Sequence, residues 1–169
     1  DDVKKLEPYV CARDLYKEAE LFMDANENSF GSTAAFAGMD LARYPDSDLV
    51  PLKTALAGYV SGVGQQNILL GNGSDEIIDL VIRTFAEKGE NIVQPSPGYS
   101  MVNVCAEISG VQVREVPVDE NFQPDVDEVL AQVYGKTKLI SIVSPNSPVG
   151  NVLECNRIER LLLESGVIV

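Results

Sequence analysis

Three short stretches concentrate the residue types that can hold a ligand. The first is Gly71-Asn72-Gly73-Ser74-Asp75-Glu76. Two glycines let a backbone turn tightly and approach a bound group, and Ser74, ahead of an apolar helical pattern, predicts an N-cap. The free N–H groups of such a helix start can take a phosphate. A capped helix whose first-turn acids suit its own dipole accounts for the same residues without a ligand, and Asp75 and Glu76 oppose a second anion. The stretch lacks the Gly-Lys-Ser/Thr of a nucleotide phosphate loop, and Glu76 stands where a GxGxxG pattern needs glycine. The second stretch is Pro95-Ser96-Pro97-Gly98-Tyr99-Ser100-Met101. Its prolines stiffen the chain, and the ring of Tyr99 either stacks on a flat ligand or packs on a neighbouring helix. The third, Ser144-Pro145-Asn146-Ser147-Pro148-Val149-Gly150-Asn151, is rigid and uncharged, with Asn146 and Ser147 as its polar groups. No loop decides alone. Their order (anion cradle, aromatic, rigid polar loop) suits a flat, phosphorylated, aromatic cofactor.

Such loops act together only if the intervening elements bring them to one place. Leu49, Leu52, Leu56, Tyr59 and Val60 recur at helical spacing, closed by Gly62 and Gly64. Asn67–Leu70 reads as a short buried strand. Ile77, Ile78, Leu80, Val81 and Phe85 mark a helix, with Lys88 in its last turn and Gly89 just past it. The pattern then predicts strands at Asn91–Gln94, Val111–Val116 and Lys138–Val143, and helices at Pro97–Ser109, Asp125–Tyr134 and Cys155–Glu164. Val167-Ile168-Val169 reads as a further strand. This alternation predicts an α/β fold, a mostly parallel sheet with helices on both faces. Ligands then bind at the carboxyl ends of the strands, where the three loops fall. Before residue 48 the pattern is irregular, with helical stretches near Tyr9–Glu20 and Ser32–Leu41.

Composition narrows the chemistry. The 169 residues carry 13 Lys and Arg against 26 Asp and Glu, a net charge of −13. That leaves no basic footprint for nucleic acid or an anionic membrane. No apolar run approaches the ~18 residues of a membrane span, and no secretory leader is visible at the N-terminus. Histidine is absent, which excludes a histidine base, Ser-His-Asp machinery and histidine metal ligands. Cys11, Cys105 and Cys155 are far apart and form no CxxC pair. They read as reduced thiols of a cytoplasmic protein with no metal site.

The loops, with Leu6-Glu7-Pro8-Tyr9, Met23 to Gly31 (Met-Asp-Ala-Asn-Glu-Asn-Ser-Phe-Gly) and Arg43-Tyr44-Pro45-Asp46, closely resemble pyridoxal-phosphate-dependent aminotransferases of fold type I, class I/II. Within them they resemble the histidinol-phosphate aminotransferase branch. The resemblance spans nearly the whole chain in the family's order. It implies residues 1–47 as an N-terminal arm contacting substrate and partner subunit, and residues 48–169 as a partial large domain that binds pyridoxal phosphate. It implies transfer of an amino group from glutamate to imidazole acetol phosphate, in histidine biosynthesis, by a homodimer.

By the same resemblance, the backbone at Gly73, Ser74 and Asp75 holds the cofactor phosphate and Tyr99 stacks on the pyridine ring. Tyr44 reaches the phosphate in the partner subunit, and Tyr9 and Asn26 help bind substrate. Ser147 stands where the family has an Asn bonding the cofactor's phenolic oxygen, a shorter donor worth ~1 kcal/mol or more if the bond is lost. Ser29 replaces a common Pro. The family's Schiff-base lysine follows a Ser-x-x-Lys context that none of the seven lysines here shares, so they read as solvated charges. The acid beside the pyridinium nitrogen would follow the strand at Val167. No catalytic residue is therefore expected among these 169 residues, and the chain alone is expected to be inactive. Related class I/II enzymes, a threonine-phosphate decarboxylase, and a non-catalytic truncated homologue are the rival readings.

Overall fold

The fold is taken from a computed structural model that describes residues 48–169. The expectations for Tyr9, Asn26, Tyr44, Cys11 and the two N-terminal helices lie outside the described residues. Two compact units are distinguished, and the described parts are 48–70 in one and 71–169 in the other.

In the first, α1 spans Val50–Tyr59 with Pro51 in its first turn, where its missing N–H costs nothing. The strand expected at Asn67–Leu70 is absent. Gln65–Asn67 forms a 3-10 turn instead. Local bonds take its donors: Asn67 N–H to the Gly64 carbonyl (3.0 Å) and Ile68 N–H to the Gln65 carbonyl (3.1 Å).

Residues 71–169 carry helices α2 (Ser74–Phe85), α3 (Ser100–Ser109), α4 (Val126–Ala131) and α5 (Cys155–Glu164). The strands are β1 (Asn91–Ser96), β2 (Gln112–Pro117) and β3 (Thr137–Ile140), all parallel, in the order β2-β1-β3. Parallel neighbours need crossovers, and α3 and α4 supply them. Past α5 the chain returns to β3's free side through a single parallel bridge, Leu139 to Ile168.

Both faces of the sheet are covered, as the sequence pattern requires. Ile92 packs with Ile82 of α2 and Val102, Cys105 and Ala106 of α3. Its neighbour Val93 points the other way, onto Val126 and Val129 of α4 and Leu161 of α5. Ile92, Val93, Val129 and Leu161 are at most 1% exposed. Each such side chain contributes roughly 1.5–3 kcal/mol by leaving water.

The central strand does not pair equally on its two sides. Its odd residues bond to β3: Asn91 N–H to the Lys136 carbonyl (3.0 Å) and Ser141 N–H to the Val93 carbonyl (2.9 Å). The next donor on that side belongs to residue 95, a proline with no N–H. Even residues bond to β2, from Gln112 N–H on the Glu90 carbonyl (2.9 Å) to Val118 N–H on the Ser96 carbonyl (3.3 Å). Pairing with β2 thus runs to Ser96–Pro117, while pairing with β3 stops at Val93–Ile140. The strands part at their carboxyl ends, where the loops begin.

Several boundaries differ from the sequence reading. Helix α2 ends at Phe85, and Lys88 and Gly89 lie beyond it; Gly89 (φ +88°) donates to the Gly110 carbonyl instead (3.0 Å). Helix α3 starts at Ser100 rather than Pro97, with Tyr99 as an extended N-cap. Asp125 is the N-cap of α4, its carboxylate accepting from Asp127 N–H (2.9 Å) and Glu128 N–H (3.2 Å). Lys138 is not simply solvated, because its Nζ lies 3.1 Å from Glu90 Oε1.

Candidate functional site

The Gly71–Glu76 loop enters α2 through Gly73 (φ +85°), a left-handed conformation that favours glycine. A Cβ at Gly73 would meet nothing within 4 Å, so conformation and not space selects the residue. This makes Gly73 the N-cap and Ser74 the first helical residue, correcting the expectation for Ser74. No side chain caps the helix. Its first-turn N–H groups and the positive end of its dipole are thus left to an external anion. The two nearby acids are turned aside. Glu76 Oε2 accepts from Asn72 N–H (2.5 Å) and Asn72 Nδ2 (3.1 Å). Asp75 Oδ1 accepts from the Tyr99 hydroxyl at 2.8 Å.

That last bond brings the first and second loops together, joining residues 24 apart in sequence. Half-buried Tyr99 closes the end of β1 and opens α3, so the bond sets its ring beside the start of α2. Beneath the loop the packing is close. A Cβ at Gly98 would lie 2.6 Å from Gln94 Nε2 and 2.7 Å from the Pro95 carbonyl oxygen. Gln94 is only 2% exposed, and its Oε1 has no hydrogen-bond partner. The sequence reading passed over Gln94, although a polar residue after Ile92-Val93 in an apolar strand was the signal. A cavity of about 10 Å³ beside Gln94, Gly98, Ser141 and Asn146 has room for no more than one water.

The third loop closes on itself and on the second. Asn146 N–H donates to the Asn151 carbonyl (2.8 Å) and Gly150 N–H to the Asn146 carbonyl (2.6 Å). Asn146 Nδ2 donates to the Pro97 carbonyl (2.9 Å), spanning the gap where β1 and β3 part. Ser147, next in the chain, is exposed. Two further bonds hold the mouth of the site from the β2 side. Glu115 accepts from Ser96 Oγ (3.2 Å) and from Asn103 Nδ2 (2.9 Å), fixing the end of β1 to the first turn of α3.

Of the expected site residues, the structure thus gathers Gly73, Ser74, Asp75 and Tyr99, and places Ser147 on the loop tied to Tyr99's own. The arrangement can take an anion at the α2 start with an aromatic ring beside it. No helix among the described residues is long and apolar enough to cross a membrane.

Comparison with known proteins gives the chain a family. The histidinol-phosphate aminotransferase of Bacteroides thetaiotaomicron is 45% identical over 166 residues, covering 96% of this chain and 46% of its own length. That of Cytophaga hutchinsonii is 43% identical over 172 residues, covering 100% and 48%. The chain therefore spans about half the length of the curated relatives it matches. Among solved structures, histidinol-phosphate aminotransferase from Sinorhizobium meliloti, in complex with pyridoxal-5'-phosphate, superposes with a TM-score of 0.66 at 26% identity, over 72% of this chain and 33% of that one. Tyrosine aminotransferase from Leishmania infantum shares the fold, with a TM-score of 0.64 at 16% identity over 69% and 36% of the two chains. Residues 16–169 match the profile of one family throughout, and the chain belongs to the class I and II aminotransferases.

Proposed function

We propose that this chain is the amino-terminal part of a histidinol-phosphate aminotransferase, moving an amino group from glutamate to imidazole acetol phosphate in the cytoplasm. Residues 1–47 form its arm, and residues 48–169 the first part of the domain that binds pyridoxal phosphate. The observation that carries the reading is the Tyr99 hydroxyl on Asp75, 2.8 Å away, which puts a flat ring beside an uncapped helix start.

The residues present fit the cofactor. Backbone N–H groups at Ser74 and Asp75 hold its phosphate, aided by the α2 dipole and by the open φ of Gly73. Tyr99 covers one face of its ring and excludes water from that side. Ser147 donates its hydroxyl to the phenolic oxygen, in place of the family's longer Asn. Tyr44 reaches the phosphate of the partner subunit in a homodimer, and Tyr9 and Asn26 contact the phosphorylated substrate. When bound, pyridoxal phosphate supplies the electron sink that lets the substrate's α-carbon give up a proton. The lysine that moves that proton is assigned to the half of the relatives that this chain does not span.

The test is to read the source gene beyond the codon for Val169 and assay the complete product. Glutamate-dependent amination of imidazole acetol phosphate, and rescue of a histidine auxotroph, are the expected results. Activity confined to another amino acceptor would move the protein to a different class I/II activity. Failure to bind pyridoxal phosphate at all would sink the reading.

A further inference from the structure

We infer that the Asp75 side chain is a positioning residue, whose carboxylate holds the Tyr99 ring in its stacking place through the 2.8 Å bond to the hydroxyl. The inference rests on the proposed cofactor site and gives Asp75 a role separate from that of its backbone N–H.

A carboxylate in the first turn of α2 suits the helix dipole, but even turned aside its charge works against a phosphate bound at that helix start. Something must offset that repulsion if the site is to bind phosphate well. The structure supplies a use for the oxygen. Tyr99 is half-buried and is the extended N-cap of α3, so its backbone is fixed by β1 and α3 while its side chain can still swing about χ1. The base of the loop is rigid, since Gly98 fits against Gln94 and Pro95 with no room for a methyl group. Asp75 accepts from the hydroxyl at the far end of the ring and so restrains that swing. Glu76, the other acid of that turn, is held instead by Asn72 and leaves Asp75 alone with Tyr99 (2.5 Å and 3.1 Å against 2.8 Å).

Asp75→Asn keeps an oxygen for the hydroxyl and drops the charge, whereas Asp75→Ala drops both. The two separate positioning from charge. In the complete protein, the dissociation constant for pyridoxal phosphate, read by quenching of tyrosine fluorescence, is expected to be about fivefold weaker for Asp75→Ala than for Asp75→Asn. Tyr99→Phe should weaken it similarly, and Asp75→Ala with Tyr99→Phe should be no worse than either alone. Ring-labelled tyrosine spectra of the ligand-free protein give a second readout: the Tyr99 resonance is expected to move in Asp75→Ala and to return toward its parent position in Asp75→Asn. Equal affinity for the two Asp75 variants, or a Tyr99 resonance indifferent to Asp75→Ala, overturns the inference. If the parent protein fails to bind pyridoxal phosphate, the proposed function fails, while the spectra still decide whether Asp75 positions Tyr99.

Discussion

Asn146 Nδ2 donates to the Pro97 carbonyl at 2.9 Å and is the bond that crosses from the loop after β3 to the loop after β1. Asn146 is 7% exposed while Pro97 is exposed, so losing the donor costs the bond but leaves the Pro97 carbonyl open to water. Asn146→Leu is expected to cost about 0.5–1.5 kcal/mol in urea unfolding of the protein. Asn146→Asp should cost at least as much at neutral pH, because it sets a carboxylate against the carbonyl. An unchanged urea midpoint in Asn146→Leu would mean the two loops stay together without this bond.

Gly98→Ala tests the base of the same loop. The new methyl group would press on the Pro95 carbonyl oxygen at 2.7 Å, a backbone atom that cannot swing aside as Gln94 can. A loss of ~1–3 kcal/mol is expected, together with weaker cofactor binding. Gly135→Ala is the control, since a Cβ there would meet nothing within 4 Å. A thermal melt of the two variants side by side reads the difference.

Much of this architecture is legible in the sequence. The unbroken apolar pair Ile92-Val93 belongs to a strand buried on both faces, and Ile77, Ile78, Leu80, Val81 and Phe85 mark α2. The loops at the strand ends follow from that alternation alone. What the sequence hides is the long-range bond. Pro97 looks like a first helical residue, yet its carbonyl is committed to Asn146, 49 residues away, and α3 waits until Ser100. Apolar Ile68–Leu70 resembles a strand, but no strand among the described residues pairs with it. The partnership of Tyr99 with Asp75 is invisible for the same reason.

The two described thiols should react at different rates. Burial raises the Cys105 thiol above its ordinary value, and the nearby carboxylates of Asp79 and Asp75 push it further the same way. Cys155 is exposed. Because the thiolate is the nucleophile, iodoacetamide at pH 8 should label Cys155 promptly and Cys105 only after unfolding, as peptide mass mapping would show. Equal labelling in the folded protein would contradict the packing of α3.

Glu90 is held below the ordinary carboxylate value first by the Glu87 N–H, 2.7 Å away, and then by Lys138. Burial opposes both. A depressed carboxylate adds stability above its unfolded value of 4.5 and loses it as pH falls through the folded one. Glu90→Gln is therefore expected to be less stable than the parent at pH 7, with the gap closing in acid. Salt should narrow the gap at pH 7 as well, since the pair with Lys138 is half in water. Urea midpoints at a series of pH values decide it, and a gap that widens in acid would reverse the assignment.

Pro95 carries a consequence of its own. Parallel strands zip for as long as each residue in turn offers a proton to its neighbour, and on the β3 side that series ends at an imide. The crevice between β1 and β3 opens where that series ends. It is punctuated, by one hydrogen that the chain was never given. Any other residue at this position would hand the zipper its next tooth, and the mouth where the three loops meet would begin to close.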